Sequence, residues 1–394
     1  MYFELSRHFN PNFSNFFPIK NLCISTDLGW TEMQGKYGKI VFKGYAYVDL
    51  VAFLSTHDPS KTITPRGSFT AIMEKDNFVY IVHDNSRQYP IFVDRNGFVI
   101  TNLTKHKEVK YPDVSVSVDI EANTIIENFT KIDFVKQDTI ELSQATKIIQ
   151  DKLSHDIKFF ASNYNDPIKI IPTGGIDSTL LIALLKYNNV EFEVIDYEYK
   201  KWTYFYKQNR KEVDENIPAK MFIKVAHSWG EKPTTLANGW HADQHMLRLY
   251  LPLIVFCKIK NLNISDIMHQ YRNSYTYPKF VQKETERQKE FDLIQNENLD
   301  TTAGYNKIFE IIRASFQPWT FEKTCYWSPY KNLEITKTIL HMSDDAVIRN
   351  TMEATVQKNI LAKVDPNLLD VITPKKNEFS KSIYDRFTKT LTKY

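Results

Sequence analysis

Glycine is scarce in this chain, at 11 of 394 residues. Cysteine is scarcer still. Cys23, Cys257 and Cys325 lie far apart with no CxxC spacing, so neither a zinc site nor a disulfide framework is suggested. Charge of one sign is missing as well. The formal net charge is +3, with lysines and acids interleaved, which leaves no global electrostatic case for a nucleic acid or membrane partner. No apolar run approaches the roughly 20 residues that would span a bilayer. The start, MYFELSRHFNPNF, has no cationic lead before an apolar core, so no secretory signal is expected there and a cytoplasmic location is. What is plentiful is apolar residue: 42% of the chain is hydrophobic and 14% aromatic, which points to packed cores rather than disorder.

Two textures divide the chain. Residues 1 to about 138 read as short strands, in "GKIVFKGYAYVDL" (38–50), "GSFTAIMEKDNFVYIVHD" (67–84) and "QYPIFVDRNGFVITNL" (88–103). Turn pairs such as Asp76-Asn77 and Asn96-Gly97 separate them, so the expected first domain is antiparallel and β-rich. From 139 to 394 the period changes. Leu142, Ala145, Ile149, Leu153, Ile157 and Phe160 recur at helical spacing. A strand "PIKIIP" (167–172), a helix "STLLIALLKY" (178–187), a strand "VEFEVIDY" (190–197) and a helix "EVDENIPAKMFIKVA" (212–226) then alternate. Such alternation predicts a doubly wound parallel sheet with helices on both faces, here with extra helices after 245.

The one glycine pair stands between the first of these strands and its helix, in "IIPTGGIDSTLL" (170–181). Glycine lets bare backbone N–H groups approach a ligand, and the helix N-terminus behind it favours an anion. Thr173, Ser178 and Thr179 add hydroxyls, so the loop reads as a phosphate cradle, against the plainer reading of a structural strand-to-helix turn. Neither GxxxxGK[ST] nor GxGxxG is present. A second strand–glycine–helix passage, "TTLANGWHADQHML" (234–247), brings in Gly239 and Asp243. Two carboxylates, Asp177 and Asp243, would suit magnesium, which binds through one or two acids plus phosphate oxygens. His241 and His245 are spaced for a metal pair, but no third ligand follows, and a polar-face pair is the plainer reading.

Thr173-Gly174-Gly175-Ile176-Asp177-Ser178 resembles the S-G-G-x-D-S loop of the ATP pyrophosphatase superfamily, with threonine for the first serine. The second passage is similar to the G-x-G-A-D-E segment of its asparagine synthetase and β-lactam synthetase branch, with Trp240-His241 and Gln244 as departures. "VITPKKNEFS" (371–380) is similar to the family's late lysine loop and aligns Lys376, or else Lys375, with its catalytic lysine. "SPYKNLEI" (328–335) is only faintly similar to a family stretch, and nothing is carried over from it.

The resemblance implies an adenine nucleotide alpha hydrolase-like domain after an N-terminal-nucleophile glutaminase-like domain. Thr173, Gly174, Gly175, Asp177, Ser178 and Gly239 would bind ATP and pyrophosphate, Asp177 and Asp243 would hold Mg²⁺, and Lys376 would be catalytic. The implied reaction adenylates a small-molecule carboxylate and passes the acyl group to ammonia or an amine; a homo-oligomer is allowed for. The glutaminase should be inactive, since Tyr2 follows Met1 and Cys23 lacks the glycine-rich sequence expected after a nucleophile. Two alternatives stay open: a nucleobase- or tRNA-modifying ATP pyrophosphatase that uses the basic tail from Pro374, and an ATP-binding pseudoenzyme.

Overall fold

A computed structural model describes residues 3–26, 29–61, 64–84, 91–95, 98–101, 109–110, 114–129, 134, 136, 138–164, 167–170, 175–194, 234–237, 239, 241–274, 276–314 and 324–372. The chain is mixed α/β, with antiparallel sheets in its N-terminal part and helices dominating its C-terminal part. It divides into two compact units: unit 1 is Met1–Phe134 with Tyr305–Lys323, and unit 2 is Val135–Gly304 with Thr324–Tyr394. The described part of the stretch that returns to unit 1, residues 305–314, lies on a helix (Thr301–Ala314), and Phe134 packs against its Tyr305 and Phe309 at ring-centroid distances of 4.8 and 5.5 Å.

Unit 1 holds two six-stranded antiparallel sheets. One contains β1 (Phe3–Ser6), β2 (Asn15–Ile19), β3 (Leu22–Thr26), β8 (Ile91–Asp94), β9 (Val99–Thr101) and β10 (Val109–Lys110), in the order β10-β8-β9-β1-β3-β2. The other contains β4 (Thr31–Gln34), β5 (Lys39–Ala46), β6 (Gly67–Lys75), β7 (Phe78–His83), β11 (Val114–Asp119) and β12 (Thr124–Phe129), in the order β12-β11-β7-β6-β5-β4.

The strand period of two explains the layering. Val41, Ile72, Ile81 and Val116 sit opposite one another across β5, β6, β7 and β11, and they share a core with Phe3, Leu5, Ile24 and Ile100 of the first sheet. Their neighbours Ile40, Phe42, Ala71, Met73 and Val82 point the other way, into a second core closed by Leu50 and Leu54 of α1 (Leu50–Thr56). The second sheet is therefore buried on both faces, and β6 is buried without interruption from Gly67 to Met73. Cys23 is an interior residue of β3, half-buried rather than fully buried.

Among the described residues, unit 2 holds a four-stranded sheet of β13 (Ile168–Ile170), β14 (Glu193–Val194), β15 (Thr234–Ala237) and β16 (Thr324–Trp327), parallel at every pairing, in the order β14-β13-β15-β16. The stripe expected on the first long helix is present in α2 (Leu142–Asn163), where Ala145, Ile149, Leu153, Ile157 and Phe160 are all buried. Phe160 stacks on the buried Trp327 at the end of β16, with centroids 4.3 Å apart. The helix expected over 178–187 is α3 (Ile176–Tyr187), which buries an unbroken run from Leu180 to Leu185. The helix expected over 212–226 lies outside the described residues. Among the described residues no helix is long and apolar enough to cross a membrane.

Candidate active site

The described sheet steps from β13 to β14 on one side, and the chain then returns to β15 on the other side of β13. In parallel sheets, the crevice beyond the carboxyl ends of the strands at such a reversal is where ligands bind. The segments following β13 and β15 meet there. α3 starts at Gly175, whose carbonyl accepts hydrogen bonds from the Thr179 hydroxyl (2.9 Å), the Ser178 hydroxyl (3.2 Å) and the Thr179 N–H (3.1 Å). The first-turn N–H groups of α3 have no intrahelical acceptor and carry the positive end of the helix dipole, so Asp177 in that turn is favourably placed.

Gly239, just past β15, lies directly on this turn. A Cβ added there would come within 2.7 Å of Asp177 Cβ, 2.8 Å of its carbonyl carbon and 2.9 Å of Ser178 N. Only a residue without a side chain allows that approach. Beyond it comes the single-turn helix α4 (Ala242–His245), then a sharp reversal at Leu247, whose φ is +55°, then Arg248. The reversal is fixed from behind. Asn350, fully buried in α11 (Asp344–Glu353), donates to the Met246 carbonyl at 2.8 Å and accepts from the Val356 N–H at 3.1 Å.

These segments gather a cluster of charges. Arg248 Nη1 lies 2.8 Å from Asp177 Oδ1 and 3.5 Å from Asp243 Oδ1, so one guanidinium nitrogen stands between the two acids. Lys279 of α7 (Tyr277–Glu286) pairs with Asp243 Oδ2. Gln357 of α12 (Thr355–Val364) donates to Asp177 Oδ1 and offers its own oxygen to Arg248 at 3.4 Å. The buried Tyr330 hydroxyl donates to the Asp177 carbonyl at 2.9 Å and ties down the turn that carries the acid. The Arg248 side chain is 3% exposed, whereas Asp177 and Asp243 keep 21% and 25% of their side-chain surface.

The two acids titrate differently. Burial pushes the Asp177 carboxyl up to about 6, with Asp243 adding to the rise and Arg248 and Lys279 opposing it. Burial acts on Asp243 too, but there Lys279 and Arg248 outweigh it and hold the carboxyl below its ordinary value. His241 is buried, and burial, Lys331 and His245 together depress its pKa well below the usual imidazole value, leaving a neutral ring at pH 7. The His241 and His245 rings are 6.4 Å apart, and among the described residues no group of three His, Cys, Asp or Glu gathers to hold a metal.

The donor set nevertheless fits a magnesium ion that arrives with phosphate. Asp243 Oδ1 is buried with no hydrogen bond, only the ion pair to Arg248 at 3.5 Å, and the same Arg248 nitrogen reaches Asp177. Two carboxylates would leave the remaining coordination positions to phosphate oxygens and water, which is how this ion is ordinarily held.

Of the residues singled out in the sequence, Gly175, Asp177, Ser178, Gly239 and Asp243 lie in this one place. Thr173, Gly174 and Lys376 lie outside the described residues. Sequence reasoning missed Arg248, Lys279, Gln357 and Tyr330. Arg248 had a signal: it is a lone cation in the apolar run "HMLRLYLPLIVF" (245–256). Tyr330 falls within the "SPYKNLEI" stretch, from which nothing was carried over. No family model matches the chain, and no curated protein matches it significantly.

Proposed function

We propose that unit 2 is an ATP-dependent, amide-forming ligase domain of the asparagine synthetase and β-lactam synthetase type, built on a doubly wound parallel sheet, and that unit 1 is a glutaminase-like domain without glutaminase activity. The observation that carries the reading is the contact of Gly239 with the Asp177–Ser178 turn. It joins two sequence-distant segments, each bearing one acid, at the carboxyl ends of adjacent parallel strands.

In this reading the Ser178 hydroxyl and the first-turn N–H groups of α3 bind the β and γ phosphates. Asp177 and Asp243 would hold Mg²⁺, which supplies charge neutralisation to the triphosphate when bound. A carboxylate oxygen of the substrate attacks the α-phosphorus, the bond to the β-phosphate oxygen breaks, and pyrophosphate leaves. The nitrogen of ammonia or an amine then attacks the acyl carbon, loses a proton, and AMP departs. Lys376 is proposed to steady the charge that develops in both steps.

A pyrophosphate-release screen over amino acids, other carboxylates and amines tests this. Wild type should release pyrophosphate with one acid–amine pair, and Asp177→Ala should lower the rate by about 10²-fold or more, as expected when an electrostatic anchor of the transition state is lost. Release that survives Asp177→Ala, or that requires glutamine, would contradict the reading.

A further inference from the structure

Arg248 is an unusual cation to find between two prospective metal ligands. It is almost wholly buried, cannot be neutralised by losing a proton, and shares its Nη1 between Asp177 and the side-chain oxygen of Gln357. The cluster it belongs to is balanced: the carboxylates of Asp177 and Asp243 face the guanidinium of Arg248 and the ammonium of Lys279. Nη1 of Arg248 lies near one oxygen of each acid, 2.8 Å from Asp177 Oδ1 and 3.5 Å from Asp243 Oδ1. A divalent ion arriving alone would have to displace the guanidinium and would leave two uncompensated positive charges in a largely buried site, which low dielectric strongly disfavours. A metal that arrives with a triphosphate brings its own counter-charge, and the displaced guanidinium gains phosphate oxygens to pair with.

We propose that Arg248 is a resident counter-ion that holds the place between Asp177 and Asp243 until nucleotide arrives, so that metal enters only together with the triphosphate, toward which the released guanidinium turns. Arg248 is thus a positioning residue that makes metal and nucleotide bind in one step. This rests on the reading of Asp177 and Asp243 as ligands in an ATP site.

The test is a titration of the full chain with Mn²⁺ as probe, following free Mn²⁺ by electron paramagnetic resonance, with and without ATP. Wild type should bind Mn²⁺ only when ATP is present. Arg248→Gln, checked for native circular dichroism, should bind Mn²⁺ without ATP roughly tenfold or more tightly than wild type, because the competing charge a few ångströms away is gone. Adding Asp243→Asn to that variant should remove the new site.

Mn²⁺ binding to wild type without ATP would overturn the proposal whether or not the variant folds. So would a folded Arg248→Gln that gains nothing. Failure of the ligase reading looks different. In that case ATP does not promote Mn²⁺ binding to wild type, while Arg248→Gln still gains a site that Asp243→Asn abolishes.

Discussion

Gly239 shows how one missing side chain can hold a site together. Its backbone rests on atoms of Asp177 and Ser178 that belong to, or adjoin, the main chain of α3, so there is no flexible side-chain tip to yield. Gly239→Ala should therefore push β15 away from α3 and cost about 1–3 kcal/mol, the usual range for overpacking. Thermal denaturation checks it, and an unchanged melting temperature would mean the two segments are not in tight contact.

At this scale the sequence is readable where a residue type is rare and its spacing fixed. A glycine pair before an acid, and a glycine four residues before another, reveal Asp177 and Asp243. Arg248, Lys279 and Gln357 are harder to find. Their importance comes from being brought together by chain segments up to 180 residues apart from Asp177, and on their own helices Lys279 and Gln357 pass for ordinary polar positions. Charge interplay is equally invisible in the sequence. Two aspartates of one type are driven in opposite directions, because burial dominates at Asp177 while the cations prevail at Asp243.

Among the elements, α2 and α3 are legible because a helix buried along one side repeats its apolar residues every three or four positions, and a helix buried all round shows a continuous apolar run. The junction between α11 and α12 is not. It turns through Ala354 at φ +57°, a left-handed position usually marked by glycine or asparagine, and here nothing in the sequence marks it. Asn350 stabilises this bend from inside by bonding to Val356, and its other bond reaches the Met246 carbonyl beside the Leu247 reversal that presents Arg248. Asn350→Ala would leave a buried carbonyl and a buried N–H without their partner, at about 2 kcal/mol or more. A urea midpoint lowered without a change in slope is the expected result. An unchanged midpoint would mean that water replaces the amide.

On the scale of the whole molecule, the change of period near residue 138 separates strand-rich from helix-rich sequence, and antiparallel and parallel sheets lie on either side of it. The linear reading could not show that Tyr305–Lys323 groups with unit 1, since membership of a unit is a property of contacts and not of local pattern. Nor could it identify β16, a four-residue strand too short to show a period. The reversal of strand order between β13 and β15 brings the segments bearing two distant acids together around Arg248.

The most direct measurement is the ³¹P spectrum of ATP titrated with the protein, with and without Mg²⁺. The β and γ resonances of wild-type-bound ATP should shift and broaden only when Mg²⁺ is present, and the effect should vanish in both Asp177→Ala and Asp243→Asn. Unperturbed ATP resonances with wild type, or the same perturbation in all three proteins, would contradict the account.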